Sequence, residues 1–234
     1  MIIIPEIETV VIQPPRTGTS GLRNALLAKY PRAFSLYRHM ERPGIPMGYE
    51  KWRVVCSFRE PLERLYSLYC YMRAPTISGK VRNAWCDRVQ EDTDRPFADW
   101  LTGSSEVFTS PGSLADQNYD PYYNAIHSDL AIARRSQFLW ARPDLGNVTL
   151  LALGGEYDHQ CRELFDCTVP EKVNASSGFN VPSLSSFDAA RVEHHLDHYF
   201  AWDRAVWAVG ALDPEHPVLV GPARIGRVES RAEA

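Results

Sequence analysis

Thr9-Val10-Val11-Ile12-Gln13-Pro14-Pro15-Arg16-Thr17-Gly18-Thr19-Ser20-Gly21-Leu22 is the stretch on which the fold turns. Its first four residues are short, apolar and β-branched, which predicts a buried strand, and Pro14-Pro15 stops it. Leu22, Ala25, Leu26 and Lys29-Tyr30 then recur at the spacing of one helical face. The turn between is built from small residues. Gly18 opens backbone angles closed to residues with a Cβ. Thr17, Thr19 and Ser20 carry hydroxyls, and the helix start carries N–H groups without an intrahelical partner. Such a nest suits an anion, and Arg16 sets a fixed positive charge beside it. The bland alternative is a strand–helix turn that holds no ligand.

A second stretch repeats the layout. Arg53-Val54-Val55-Cys56-Ser57-Phe58 reads as a strand ending at Arg59, and Pro61 fits the first turn of a helix, where its missing N–H costs nothing. Leu62, Leu65, Tyr66, Tyr69 and Met72 fall on one face of that helix, and Glu60 and Glu63 suit its N-terminal end. Arg59 stands where a binding residue belongs. Ser67 offers a second donor to the same anion, with Arg64 its neighbour one turn back. Solvated pairing of both arginines with nearby glutamates is the alternative. Two such units place two phosphate sites at the carboxyl edge of one parallel sheet.

The first turn is not an ordinary nucleotide loop. ATP and GTP sites need a Lys-Ser/Thr pair after the second glycine, and Ser20-Gly21-Leu22-Arg23 stands there instead. That disfavours a metal-dependent kinase of nucleosides or small molecules, which remains one rival reading.

Taken together the two stretches resemble the sulfotransferase family, whose donor is 3′-phosphoadenosine 5′-phosphosulfate (PAPS). Pro15-Arg16-Thr17-Gly18-Thr19-Ser20 is similar to its 5′-phosphosulfate loop, and Arg59-Glu60-Pro61-Leu62-Glu63-Arg64-Leu65-Tyr66-Ser67-Leu68-Tyr69 to its 3′-phosphate motif. The resemblance implies that Arg16, Thr17, Gly18, Thr19, Ser20 and Gly21 hold the 5′ end of PAPS and that Arg59 and Ser67 hold the 3′-phosphate. Val173-Asn174-Ala175-Ser176-Ser177 resembles the Asn/Ser loop of the Golgi-type carbohydrate branch, which adds Asn174 and Ser176 to the implied cofactor contacts. Tyr199-Phe200-Ala201-Trp202-Asp203-Arg204-Ala205-Val206-Trp207 resembles the closing element of that branch. The likeness spans about residues 9–210 and is specific at the two phosphate motifs. It implies transfer of a sulfuryl group to a hydroxyl acceptor, a carbohydrate first and small alcohols or phenols next. A non-catalytic PAPS- or PAP-binding module is the second rival.

Arg16 stands where many members carry Lys. Its charge stabilises a sulfonate, but a group with a pKa above about 12 does not readily give a proton. An acceptor hydroxyl needs a general base. His39, in Leu36-Tyr37-Arg38-His39-Met40-Glu41, is the first candidate and Glu41 the second. In uronosyl-type relatives a catalytic His lies in this interval, and His takes up protons near neutrality without large tuning. A merely polar loop is the alternative. No metal-ligand spacing is evident: His194, His195 and His198 lack a third ligand, and a solvated or capping role is favoured for them. His127 reads as a helix start, with acceptor binding as its other possibility.

The remaining chain sets the frame. Its 234 residues, 44% hydrophobic and 23% charged, suit one α/β domain over 1–234 with a P-loop-type central parallel sheet flanked by helices. A net charge of −4 argues against a general nucleic-acid binder. Cys56, Cys70, Cys86, Cys161 and Cys167 form no Cys-x-x-Cys pair and imply no disulfide framework. Met1-Ile2-Ile3-Ile4-Pro5-Glu6 lacks the features of a signal peptide, and no apolar run reaches about 18 residues. The expectation is a cytoplasmic protein without a membrane anchor, a bacterial or phage-like version of the family. Residues 73–125, with Trp85, Trp100, Tyr119, Tyr122 and Tyr123, read as an acceptor-side cap whose aromatics either stack on an acceptor or pack the cap. Arg134-Arg135 either meets an anionic acceptor or caps a helix. Val148-Thr149-Leu150-Leu151-Ala152-Leu153 reads as a further strand and Tyr157–Phe165 as a helix. Ser185-Ser186-Phe187-Asp188 has the pattern of a capping box opening a late helix, and residues 212–234 form a packed or frayed tail.

Overall fold

Six strands form one sheet: β1 (Ile2–Ile4), β2 (Thr9–Ile12), β3 (Phe34–Ser35), β4 (Arg53–Phe58), β5 (Val148–Ala152) and β6 (Val218–Val220), in the order β3-β1-β2-β4-β5-β6. The computed structural model describes residues 1–36, 39–73, 95–103, 135–154, 156–169, 183–212 and 218–221. At the centre β2, β4 and β5 run parallel, with Ile12 opposite Cys56 and Phe58 opposite Ala152. Their side chains are mostly apolar and buried on both faces, the composition of strands covered on both sides. The outer neighbours run antiparallel: β1 against β2 and β3, and β6 against β5. The sheet is therefore mixed, parallel in its middle and antiparallel at both edges, rather than parallel throughout. Part of the expected tail supplies β6.

Alternation sends Ile2, Ile4, Val11, Val55 and Leu151 to one face, where they pack with Leu22 and Leu26 of α1 (Thr19–Lys29) and with Tyr157, Cys161 and Phe165. The last three belong to α5 (Tyr157–Phe165), which follows the short α4 (Phe138–Ala141). Gln160 on that helix accepts a hydrogen bond from the Ala152 N–H at 3.0 Å, and the Tyr30 hydroxyl donates to Phe165 O at 2.6 Å. On the opposite face the Phe58 ring meets Trp202 at 6.0 Å and Trp207 at 6.3 Å. Arg42 fastens the approach to β5. Its guanidinium donates to the carbonyls of Arg142 (3.0 Å), Gly146 (2.7 Å) and Asn147 (3.2 Å).

The sheet belongs to a compact unit of Met1–Glu60, Gln137–Ala175 and Trp202–Ala234; a second unit comprises Pro61–Ser136 and Ser176–Ala201. In the second, α2 (Pro61–Arg73), α3 (Phe97–Thr102) and the first half of α6 (Ser186–Leu212, broken at Phe200) share an apolar core. Leu65 and Tyr69 of α2 are buried there as the helical spacing requires, and Tyr69 donates to Arg95 O at 2.6 Å. Trp100 is fully buried in the same core, against Tyr69 and Phe97, so it packs rather than presenting its ring to an acceptor. Trp85, Tyr119, Tyr122, Tyr123, His127 and Arg134 lie outside the described residues. Ser185 caps α6: its hydroxyl accepts the Asp188 N–H at 3.1 Å and donates to the Asp188 carboxylate at 2.8 Å. Arg191 ties this helix to α3 through Asp99 and Thr102. Among the described residues no helix is long and apolar enough to cross a membrane.

Candidate functional site

The parallel register carries the chain ends of β2, β4 and β5 to one edge of the sheet. Gln13 follows Ile12 there, Arg59 follows Phe58, and Leu153 follows Ala152, its N–H donating to Phe58 O at 2.7 Å. The turn after β2 has unusual backbone angles. Arg16 (φ 68°) and Gly18 (φ 74°) are both left-handed, with Thr17 between them. For Arg16 this costs on the order of 1–2 kcal/mol, since its Cβ crowds the following carbonyl. Changes of backbone hand within a few residues converge successive N–H groups into an anion-binding concavity. Gly18 is also the N-cap of α1, with no side-chain cap and no acidic residue in the first turn. The positive end of an eleven-residue helix thus opens onto the turn.

Side chains brace the turn from behind. The Thr17 hydroxyl, fully buried, donates to Pro14 O at 2.8 Å, so its donor capacity is turned inward. Gln13, buried, donates from Nε2 to Thr19 O at 3.0 Å. A Cβ on Gly18 would lie 3.1 Å from Leu153 Cδ1 and 3.4 Å from the Tyr157 hydroxyl. Thr19 and Ser20 are half-buried in the first turn of α1, and Gly21 is buried behind them.

His39 stands beside this turn. Its Nδ1 is 2.9 Å from Gln13 O, and its own carbonyl accepts from Trp140 Nε1 at 3.1 Å. A carbonyl only accepts, so Nδ1 carries the hydrogen. In the neutral ring that leaves the lone pair on Nε2, the tautomer a general base needs. Glu41 is buried two residues on and lies within electrostatic reach of Arg142. Of the two candidate bases, His39 is tied to the residue that leads into the turn, Gln13.

Arg59 stands at the same edge, its Nη1 making a long 3.5 Å contact to Arg16 O. Its backbone is gripped by Gln137, whose Oε1 accepts the Arg59 N–H at 3.0 Å and whose Nε2 donates to Arg59 O at 2.8 Å. The fully buried Asp203 carboxylate accepts from Gln137 N at 2.8 Å, Gln137 Nε2 at 3.2 Å and Phe138 N at 3.3 Å. Residue-type patterns gave no role to Gln137, because one amide buried against a strand end leaves no periodic trace; Asp203 drew notice only inside the closing element.

The rest of the second motif lies in the other unit. Ser67 is buried on α2. Arg64 is fully buried rather than solvated: Nη2 donates to Arg135 O at 2.8 Å and the guanidinium lies 5.7 Å from the centre of the Phe200 ring. Arg135 is buried as well. Asn174 and Ser176 fall outside the described residues, as does Arg38.

Burial holds two cysteines near the sheet in the protonated thiol form. Burial pushes the Cys56 thiol far above the usual range, reinforced by the Asp203 carboxylate, and pushes Cys161 up to about 12. Both are thiols at neutral pH, and a thiol is a poor nucleophile and ligand. Among the described residues no cluster of three His, Cys, Asp or Glu side chains is arranged to hold a metal ion. What the edge brings together is a turn with two left-handed residues, the N-terminus of α1, Arg16, Arg59 and the His39 imidazole. Comparison with families of known proteins, with characterised proteins and with solved structures finds no match to this chain.

Proposed function

We propose that this protein binds PAPS and transfers its sulfuryl group to a hydroxyl acceptor, with carbohydrates as the leading acceptor class. One observation carries the reading: Arg16, the N-terminus of α1, His39 and Arg59 meet at the carboxyl edge of parallel β2 and β4, linked by the His39–Gln13 and Arg59–Arg16 contacts. Two positive centres suit a donor with separate 5′ and 3′ anionic groups, and one base suits a hydroxyl acceptor.

In this reading the turn N–H groups and Arg16 bind the 5′-phosphosulfate, and Arg59 binds the 3′-phosphate in a charge-assisted pair. His39 Nε2 takes the proton of the acceptor hydroxyl as its oxygen forms a bond to sulfur. The bond from sulfur to the bridging oxygen breaks, and the electron pair stays on the departing 5′-phosphate. Charge developing on that oxygen falls where Arg16 and the helix N-terminus stabilise it. As in phosphoryl transfer, positioning and charge stabilisation carry most of the catalysis.

The test is transfer from PAPS labelled in its sulfuryl group to a panel of saccharides, alcohols and phenols. The expected result is label on a hydroxyl acceptor and a severe loss of turnover in Arg16→Ala and Arg59→Ala. Full turnover in both purified, folded variants would overturn the mechanism. PAP binding with no transfer to any acceptor would leave a binding module in place of an enzyme.

A further inference from the structure

We propose that Gln137, anchored by Asp203, is the positioning residue that aims Arg59 at the 3′-phosphate; this deepens the PAPS reading and rests on it. Arg59 lies one residue beyond the end of β4, where the ladder no longer fixes the backbone. Gln137 replaces the missing strand neighbour. Its amide meets both backbone groups of Arg59, accepting the N–H at 3.0 Å and donating to the carbonyl at 2.8 Å. The orientation of the amide is set by its surroundings: oxygen faces a donor, and nitrogen faces two acceptors, Arg59 O and the Asp203 carboxylate at 3.2 Å.

Asp203 in turn holds the Gln137 backbone N–H at 2.8 Å and the Phe138 N–H at 3.3 Å. Both Gln137 and Asp203 are fully buried. A buried carboxylate beside a buried amide is a costly way to fill space, and an apolar pair of the same size would pack as well or better. What the polar pair adds is direction. It fixes the Arg59 backbone, and with it the root of a long side chain whose head must stay at one point to select a 3′-phosphate.

The experiment is calorimetric titration of the full chain, wild type and Gln137→Met, with PAP and with AMP, which lacks only the 3′-phosphate. The expected result is an affinity for PAP lowered about tenfold, the order seen when a ligating group loses its orienting partner, with AMP affinity unchanged. In an Arg59→Ala background, adding Gln137→Met lowers PAP affinity no further. Gln137→Glu keeps the acceptor for the Arg59 N–H, loses the donor and sets a second carboxylate beside Asp203. It shifts PAP affinity in the same direction and carries the comparison if Gln137→Met does not fold. Loss of PAP and AMP affinity by one common factor, or of neither, overturns the positioning role while wild-type discrimination stands. Equal affinity of the wild type for PAP and AMP would instead remove the 3′-phosphate site, and this inference with it.

Discussion

Replacing Gly18 by Ala tests the turn after β2 directly. Gly18 sits at φ 74°, so an alanine there bears the left-handed penalty of roughly 1–2 kcal/mol. Its Cβ also arrives 3.1 Å from Leu153 Cδ1 and 3.4 Å from the Tyr157 hydroxyl, behind a braced loop, where overpacking costs about 1–3 kcal/mol. The sum is a destabilisation of about 2–5 kcal/mol. Gly48 supplies the control. It too has a positive φ, 99°, but nothing lies within 4 Å of the position its Cβ would take, so Gly48→Ala bears backbone strain alone. Denaturant unfolding of the two variants separates crowding from strain, and titration with AMP and PAP reads the site. If Gly18 relaxes, the N–H groups at the start of α1 turn away and both nucleotides weaken by the same factor, unlike the selective loss expected at Gln137. A Gly18→Ala protein no less stable than Gly48→Ala, with AMP and PAP affinity intact, would refute the reasoning.

Three further outcomes are expected. His39→Ala lowers turnover by about 10²–10⁴-fold, the usual worth of a general base, and leaves PAP affinity within a factor of about two; initial rates and calorimetry on the same preparation check both halves. Arg42→Met keeps the aliphatic stem but removes the donors to Arg142 O, Gly146 O and Asn147 O, and urea unfolding should show a loss of about 2–4 kcal/mol with the sheet edge otherwise intact. Stability falls as pH rises above 9, because the unfolded Cys161 thiol ionises near 9.0 while the folded one is pushed up to about 12. The contribution is fully present below pH 9 and lost between those values, so Cys161→Ala flattens the alkaline slope of unfolding free energy against pH.

The central strands were legible because burial on both faces favours short apolar runs rich in β-branched residues, and β2 and β4 occupy the residues that Thr9–Ile12 and Arg53–Phe58 predict. Gly18 and Pro61 marked the helix starts, since each suits a backbone or capping position that few residues tolerate. The edges were not legible. Ile2–Ile4 is only three residues long, and Phe34–Ser35 only two; both become strands by pairing with partners distant in sequence. At the candidate site, the turn, Arg16, His39 and Arg59 stood out by residue type and order. The inward rotation of the Thr17 hydroxyl and the bracing by Gln13 did not, because both depend on which carbonyl the folded chain brings near. For Arg64 the sequence left two readings open, a neighbour of Ser67 or a solvated partner of glutamates, and its full burial in the second unit removes the solvated one.

The most direct measurement is calorimetric titration of wild type and Arg59→Ala with PAP, AMP and Mg²⁺-ATP. The account predicts that PAP binds more tightly than AMP, that Arg59→Ala erases this difference, and that Mg²⁺-ATP is a poor ligand. A protein silent to PAP that binds Mg²⁺-ATP would contradict the PAPS assignment and bring the kinase reading forward.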